Sequence, residues 1–137
     1  MPQLIKICAK IYVGKARTEW LWAKKISDNT AKVENIPFFV EDMTLGDLVE
    51  FDPKTHVILR VIEKCGRTLH GHFDFAEYEE ETLQLWHQIK EHFGTYDIPL
   101  EAMSQGFFSL AVPLDLDDEQ VLGVAVCCPV PVTLLYD

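Results

Sequence analysis

After Arg67 the chain is almost without cationic side chains: among residues 68–137 only Lys90 faces thirteen Asp and Glu, whereas residues 1–67 hold eleven Lys and Arg with nine acids. A polyanion needs a basic surface, so the second half offers no grip for one. Glycines do not cluster. The seven, at positions 14, 46, 66, 71, 94, 106 and 123, never gather between a strand and a helix as a phosphate-cradling loop requires, and no nucleotide or other cofactor is expected. The four cysteines show no C-x-x-C spacing, and the adjacent Cys127 and Cys128 cannot readily close an ordinary disulfide on themselves. Reduced thiols, and therefore a cytoplasmic protein, are the expectation. The longest apolar stretch, Val121–Leu135, is broken by Pro129 and Pro131 and is too short to span a bilayer. Met1–Gly14, interrupted by Lys6 and Lys10, lacks the pattern of a signal peptide.

What is present describes a globular chain. Its 137 residues, 48% hydrophobic and 25% charged, suffice to bury roughly two thirds of the unfolded surface without a disulfide or metal staple. The expected organisation is a single domain over residues 1–137, with a β-rich half (about 1–66) and an α/β half (about 67–137) sharing a core.

Ile5, Ile7, Ala9, Ile11 and Val13 alternate with Lys6, Cys8 and Lys10, the period of a strand with one covered face. Glu19–Lys25 continues as a strand with Trp20 and Trp22 on one side. A turn at Asp28-Asn29 returns it as Thr30–Ile36. Leu48–Phe51 and Val57–Ile62 read as a hairpin about Asp52-Pro53, and Arg67–Phe75 as a further strand. The period then changes to 3.6: Thr82, Leu85, Trp86, Ile89 and Phe93 share one helical face, predicting a helix over Ala76–Phe93 that stops at Gly94. Gly106–Leu114 is a strand apolar on both faces. Asp117 followed by Gln120 is a capping-box pattern opening a short helix over Glu119–Cys127, and Val132–Tyr136 closes the chain as a strand. The fold class is α+β: an N-terminal antiparallel strand meander or small barrel, then a split βαβ (ferredoxin-like) layer with one long and one short helix.

Three constellations could carry function. His70, His72 and Asp74 stand at i, i+2 and i+4 on one strand face, about 7 Å apart in steps, with side chains suited to zinc or another first-row metal; a polar solvent-facing strand explains the same pattern. Trp20, Trp22 and Phe38 could line a ligand pocket, although they, Phe39 and Trp86 read first as core anchors. The acids Asp74, Glu77, Glu80, Glu81, Asp117, Asp118 and Glu119 form two blocks at presumed helix starts, where the macrodipole favours anions, and they could also meet a basic partner. Catalysis by Cys65, beside Arg67 with His70 as base, has no supporting sequence around it. Lys6, Lys10, Lys15, Arg17, Lys24 and Lys25 make a modest basic patch that the nine nearby acids dilute, so no nucleic-acid partner is expected.

The blocks Leu21-Trp22-Ala23, Glu34-Asn35-Ile36-Pro37-Phe38-Phe39, Leu45-Gly46-Asp47-Leu48-Val49 and Val61-Ile62-Glu63-Lys64-Cys65-Gly66-Arg67-Thr68 resemble a family of small bacterial proteins classed as a domain of unknown function. The likeness continues through the helix to Val112-Pro113. It implies no activity and no catalytic residues. It implies a structural grammar in which Asn35 and Pro37 shape a strand exit, Phe38 and Phe39 insert into a core, and Gly46-Asp47 turns the chain; Cys65 replaces an expected small residue.

Together these readings point to a small acidic cytoplasmic bacterial binding protein, monomer or homodimer, rather than an enzyme. Its sharpest form is an immunity protein or inhibitor engaging a basic partner such as a toxin nuclease through the acidic second half. The alternatives are a metal-dependent enzyme centred on His70, His72 and Asp74, or a small-ligand module using the Trp20 and Trp22 face.

Overall fold

The structure, a computed structural model, describes residues 3–11, 17–40, 42–74, 79–103 and 105–135. The chain is α+β and divides into two compact units, residues 1–68 and 69–137.

The first unit is a five-stranded antiparallel meander: β1 (Leu4–Ile11), β2 (Arg17–Lys25), β3 (Thr30–Val33), β4 (Leu48–Phe51) and β5 (Ile58–Glu63), paired in chain order. The period of two sets which face is covered. Ile5 stands opposite Ala23 and Ile7 opposite Leu21. These four, with Ala31, Val33, Met43, Val49 and Phe51, form a buried cluster that Val40, Ile58 and Val61 extend. The sheet curls until β1 meets the segment just before β5, where Cys8 bridges Val57 and the Cys8 N–H donates to His56 O at 2.8 Å. The His56 ring nitrogen Nδ1 lies 2.8 Å from Lys6 O. Cys8, placed by its phase among exposed lysines, is therefore only 3% exposed. Beyond that bridge no ladder joins β1 to β5 among the described residues, leaving an open seam.

The strand over Thr30–Ile36 ends early, at Val33. The Asn35 side chain turns back to accept the Trp22 N–H at 2.6 Å, which takes this segment out of the ladder. Tyr12, Val13 and Gly14, expected to finish the first strand, lie outside the described residues.

The second unit is wound β6 (Gly66–His72), α1 (Glu79–Thr95), β7 (Leu100–Ala102), β8 (Phe107–Pro113), α2 (Asp118–Val126) and β9 (Thr133–Leu135), with β6 beginning in the last residues before the division. Its sheet order is β7-β8-β6-β9, with β7 antiparallel to β8 and β9 antiparallel to β6. This is the split βαβ arrangement the element order implied. One cluster fills it, built on Phe73, Ile89, Phe93, Ile98, Phe108, Leu110, Val112 and Val121. Trp86 stands edge-on to Phe73 and Phe108, with ring centres 4.5 and 6.1 Å away, so it is the core anchor expected. Gly71 is dictated by this layer: a Cβ there would lie 2.2 Å from the Phe108 ring.

In the second unit several boundaries, and one strand, depart from the sequence expectation. Strand β6 stops at His72, short of Phe75, which lies outside the described residues. Helix α1 runs through Gly94 to Thr95. It is ended by Asp97, whose backbone is left-handed (φ 59°), with the Ile98 N–H donating to Phe93 O and the Asp97 N–H to Gly94 O. That is a Schellman closure, and the buried Ile98 supplies its hydrophobic contact. The three-residue strand β7 was not anticipated. Helix α2 begins at Asp118, one residue before the expected start, with both arms of the capping box in place: the Gln120 N–H donates to Asp117 at 2.8 Å and the Asp117 N–H to the Gln120 side chain at 2.9 Å.

Candidate binding face and cavity

Trp20 and Trp22 are on the solvent side of β2, 54% and 46% exposed, because Leu21 and Ala23 alternate with them and take the core side. This corrects their reading as core anchors, and Phe39, 56% exposed, is corrected with them. The register aligns Lys6 with Trp22, Cys8 with Trp20, and Lys24 with Lys32. The outward positions of β1 to β3 thus carry Lys6, Lys10, Lys24, Lys32, Trp20 and Trp22, all exposed, and no acid. The Lys6 ammonium sits 4.9 Å from the Trp22 ring centre, a cation–π contact. At the rim Glu34 reaches Lys24 at 3.3 Å.

Several acids of the first unit are already engaged by other groups. Glu19 accepts the Phe38 and Phe39 N–H groups at 2.8 and 3.1 Å. Asp52 accepts from Lys54 and Thr55 within its own turn, and Glu50 pairs with Arg60 at 3.2 Å. Asp47 is fully buried; it accepts the Thr44 N–H at 3.0 Å and the Cys65 N–H at 2.7 Å. Burial pushes its carboxyl above the ordinary 3.8, against the opposing pull of those backbone donors and Lys64.

A cavity of about 580 Å³ opens along the seam, lined by Ala9 and Lys10 of β1, by residues 57–61, and by Val40, Asp42 and Met43. Its size suits a small ligand or a short extended segment. Trp20, Trp22 and Phe38 do not line it. Phe38 is half-buried and held by Glu19, so the three residues of the expected ligand pocket are not brought together around this cavity.

His70 is half-buried, with an Nε2 that has no hydrogen-bond partner among the described residues. His72 packs on Phe107 at 4.6 Å between ring centres, and Asp74 is exposed past the strand end. Among the described residues no three His, Cys, Asp or Glu side chains gather to hold a metal ion. The Cys65 thiol donates to Gly46 O at 3.1 Å, an ordinary turn contact, and burial pushes the Cys128 thiol up. Of the acidic residues, Asp117 is consumed as the α2 cap. Asp74, Glu80, Glu81, Asp118 and Glu119 are exposed, and Glu77 lies outside the described residues.

The exposed lysine–tryptophan face was missed at the sequence level, yet a signal for it was there. Trp20 and Trp22 are in phase with Lys24, and a strand face that carries a lysine at i+2 is the wet one.

A family model described as a domain of unknown function, DUF4265, matches residues 19–124. No curated protein matches the chain significantly. A hypothetical protein from Neisseria gonorrhoeae has a similar crystal structure, with a TM-score of 0.63 at 17% identity over 98% of this chain and 93% of that one; the likeness is one of fold.

Proposed function

The chain belongs to the DUF4265 family, a domain of unknown function, and on that footing we propose that it is a cytoplasmic binding module that holds a polyanionic partner on the outer face of β1 to β3. The observation that carries this reading is the segregation of charge within the first unit. Four exposed lysines and two exposed tryptophans share the outer face of β1 to β3; the acids at its edge, Glu34 and Glu50, are already paired with Lys24 and Arg60, and Glu19, Asp47 and Asp52 accept backbone N–H groups. Charges beyond about 10 Å are screened at 0.1 M salt, so which residues share a face matters more than the −10 total. The four free cysteines agree with a reducing compartment. Retention on immobilised inorganic polyphosphate, eluted with salt, tests it: the Lys6→Glu, Lys10→Glu, Lys32→Glu triple variant elutes at lower salt than the natural protein. Equal elution, or no retention of either, defeats the reading.

A second reading places the partner on the other unit. Glu80 and Glu81 open α1 while Asp118 and Glu119 open α2, all exposed, and this acidic display fits a basic protein such as a toxin nuclease, with the chain as its inhibitor. Association with such a partner would be fast and salt-sensitive. Reversing Glu80 and Glu81 slows it, and an unchanged rate removes this alternative.

A further inference from the structure

We infer that the polyanion held on this face is single-stranded nucleic acid, its bases stacked on Trp20 and Trp22 and its phosphates met by Lys6, Lys10, Lys24 and Lys32; the inference rests on the binding face proposed above. Lysines alone would hold any polyanion. The tryptophans narrow the choice, because two large rings left about half exposed on a stable sheet offer flat apolar area that phosphate, sulfate or carboxylate cannot cover. Residues i and i+2 of a strand project about 7 Å apart, close to two of the roughly 3.4 Å rises between successive nucleotides. Sheet faces carrying exposed aromatics flanked by cations are a common platform for unpaired bases, since every base has a face to stack.

Geometry also separates single strands from duplexes. Bases already stacked inside a double helix have no free face for Trp20 or Trp22, and a sheet of this width does not enter a groove as a helix does. Two contacts set the ligand's task. The Lys6 ammonium over Trp22 must swing to a phosphate when a base arrives, and Glu34, paired with Lys24 at 3.3 Å, must yield it. Both are exposed pairs of the kind that contribute little on their own. Trp20 lies across from Cys8 and is the more exposed of the two rings, so it is the first stacking position.

The test is a fluorescence titration of the full chain with oligothymidylate of about ten nucleotides, at low and at physiological salt, beside inorganic polyphosphate and polyglutamate. The expected result is quenching by oligothymidylate that weakens with salt, with the half-buried Trp86 supplying the unquenched remainder. Trp20→Ala and Trp22→Ala each weaken binding about ten-fold, while Trp20→Phe restores most of it because a phenyl ring still stacks. Lys10→Ala leaves the quenching amplitude and lowers the salt slope by about one. If polyphosphate binds as tightly as the oligonucleotide and the alanine variants bind like the natural protein, the nucleic-acid inference falls and the polyanion face stands. Preference for polyglutamate assigns the face to an acidic protein and also overturns the inference. No binding of any of the three removes both.

Discussion

The two units reach stability by different chemistry. In the second, order comes from short-range helix signals and a dense aromatic layer: a capping box at Asp117, a Schellman closure at Asp97, and Phe73, Trp86, Phe93 and Phe108 in mutual ring contact. In the first, the cluster is aliphatic but for Phe51, and polar side chains carry the long-range order. Glu19 fixes residues 38 and 39, Asn35 ties back to Trp22, Asp47 clasps Thr44 and Cys65, and Thr68 donates to Met43 O at 2.6 Å. A meander joined by a fourteen-residue connection between β3 and β4 needs such staples, because its backbone groups find too few partners in the sheet alone. Three of these four side chains, Asn35, Asp47 and Thr68, lie within the sequence blocks singled out above, which explains why those blocks read as folding grammar and name no chemistry.

That contrast can be broken most forcefully at Phe108. Phe108→Ala empties the centre of the aromatic layer and should cost about 3–5 kcal/mol in denaturant unfolding; a loss below about 1 kcal/mol means the layer is not what holds the second unit. Next is Asp47→Asn, which leaves backbone N–H groups of Thr44 and Cys65 sharing one amide oxygen and should cost about 1–3 kcal/mol. Its pH dependence sharpens the point. The Asp47 carboxyl sits above its ordinary value of 3.8 in the fold, so the folded state binds the proton more tightly, and the residue's contribution grows as pH falls from neutral toward 3.8. The deficit of Asp47→Asn is therefore larger near pH 4 than at pH 7, and a deficit independent of pH refutes the buried-carboxyl account. The smallest effect is a gain: Asp97→Gly relieves a left-handed non-glycine backbone at the α1 terminus and should raise stability by about 0.5 kcal/mol, where a loss shows that the aspartate side chain is itself needed there.

Much of the fold was legible because it was written in local periods. The α1 phase, the Asp117–Gln120 box and the alternation in β1 each depend on residues within a few positions of one another. The misses arose where a distant partner decided the outcome. Gly94 looked like a stop until the buried Ile98 drew the chain into a closure at Asp97. Strand β7 has only Leu100, Glu101 and Ala102 to announce it, and exists because β8 pairs with it. The face of β2 was misjudged because bulk favoured burying tryptophan, whereas the cross-strand pairs Ile7 with Leu21 and Ile5 with Ala23 had already taken the inner side. The same pairings put the lysines and tryptophans together, so the candidate site became visible only with the register.

The closure of the curled sheet hangs on few bonds. Cys8 N–H to His56 O, and the imidazole against Lys6 O, join its two ends, and His56 takes a left-handed backbone (φ 61°) to reach them. Such a latch makes the ring of strands a clasp rather than a hoop. Its opening frees the buried Cys8 amide, which points away from β2, so deuterium uptake at that position becomes a clock for the opening of the clasp.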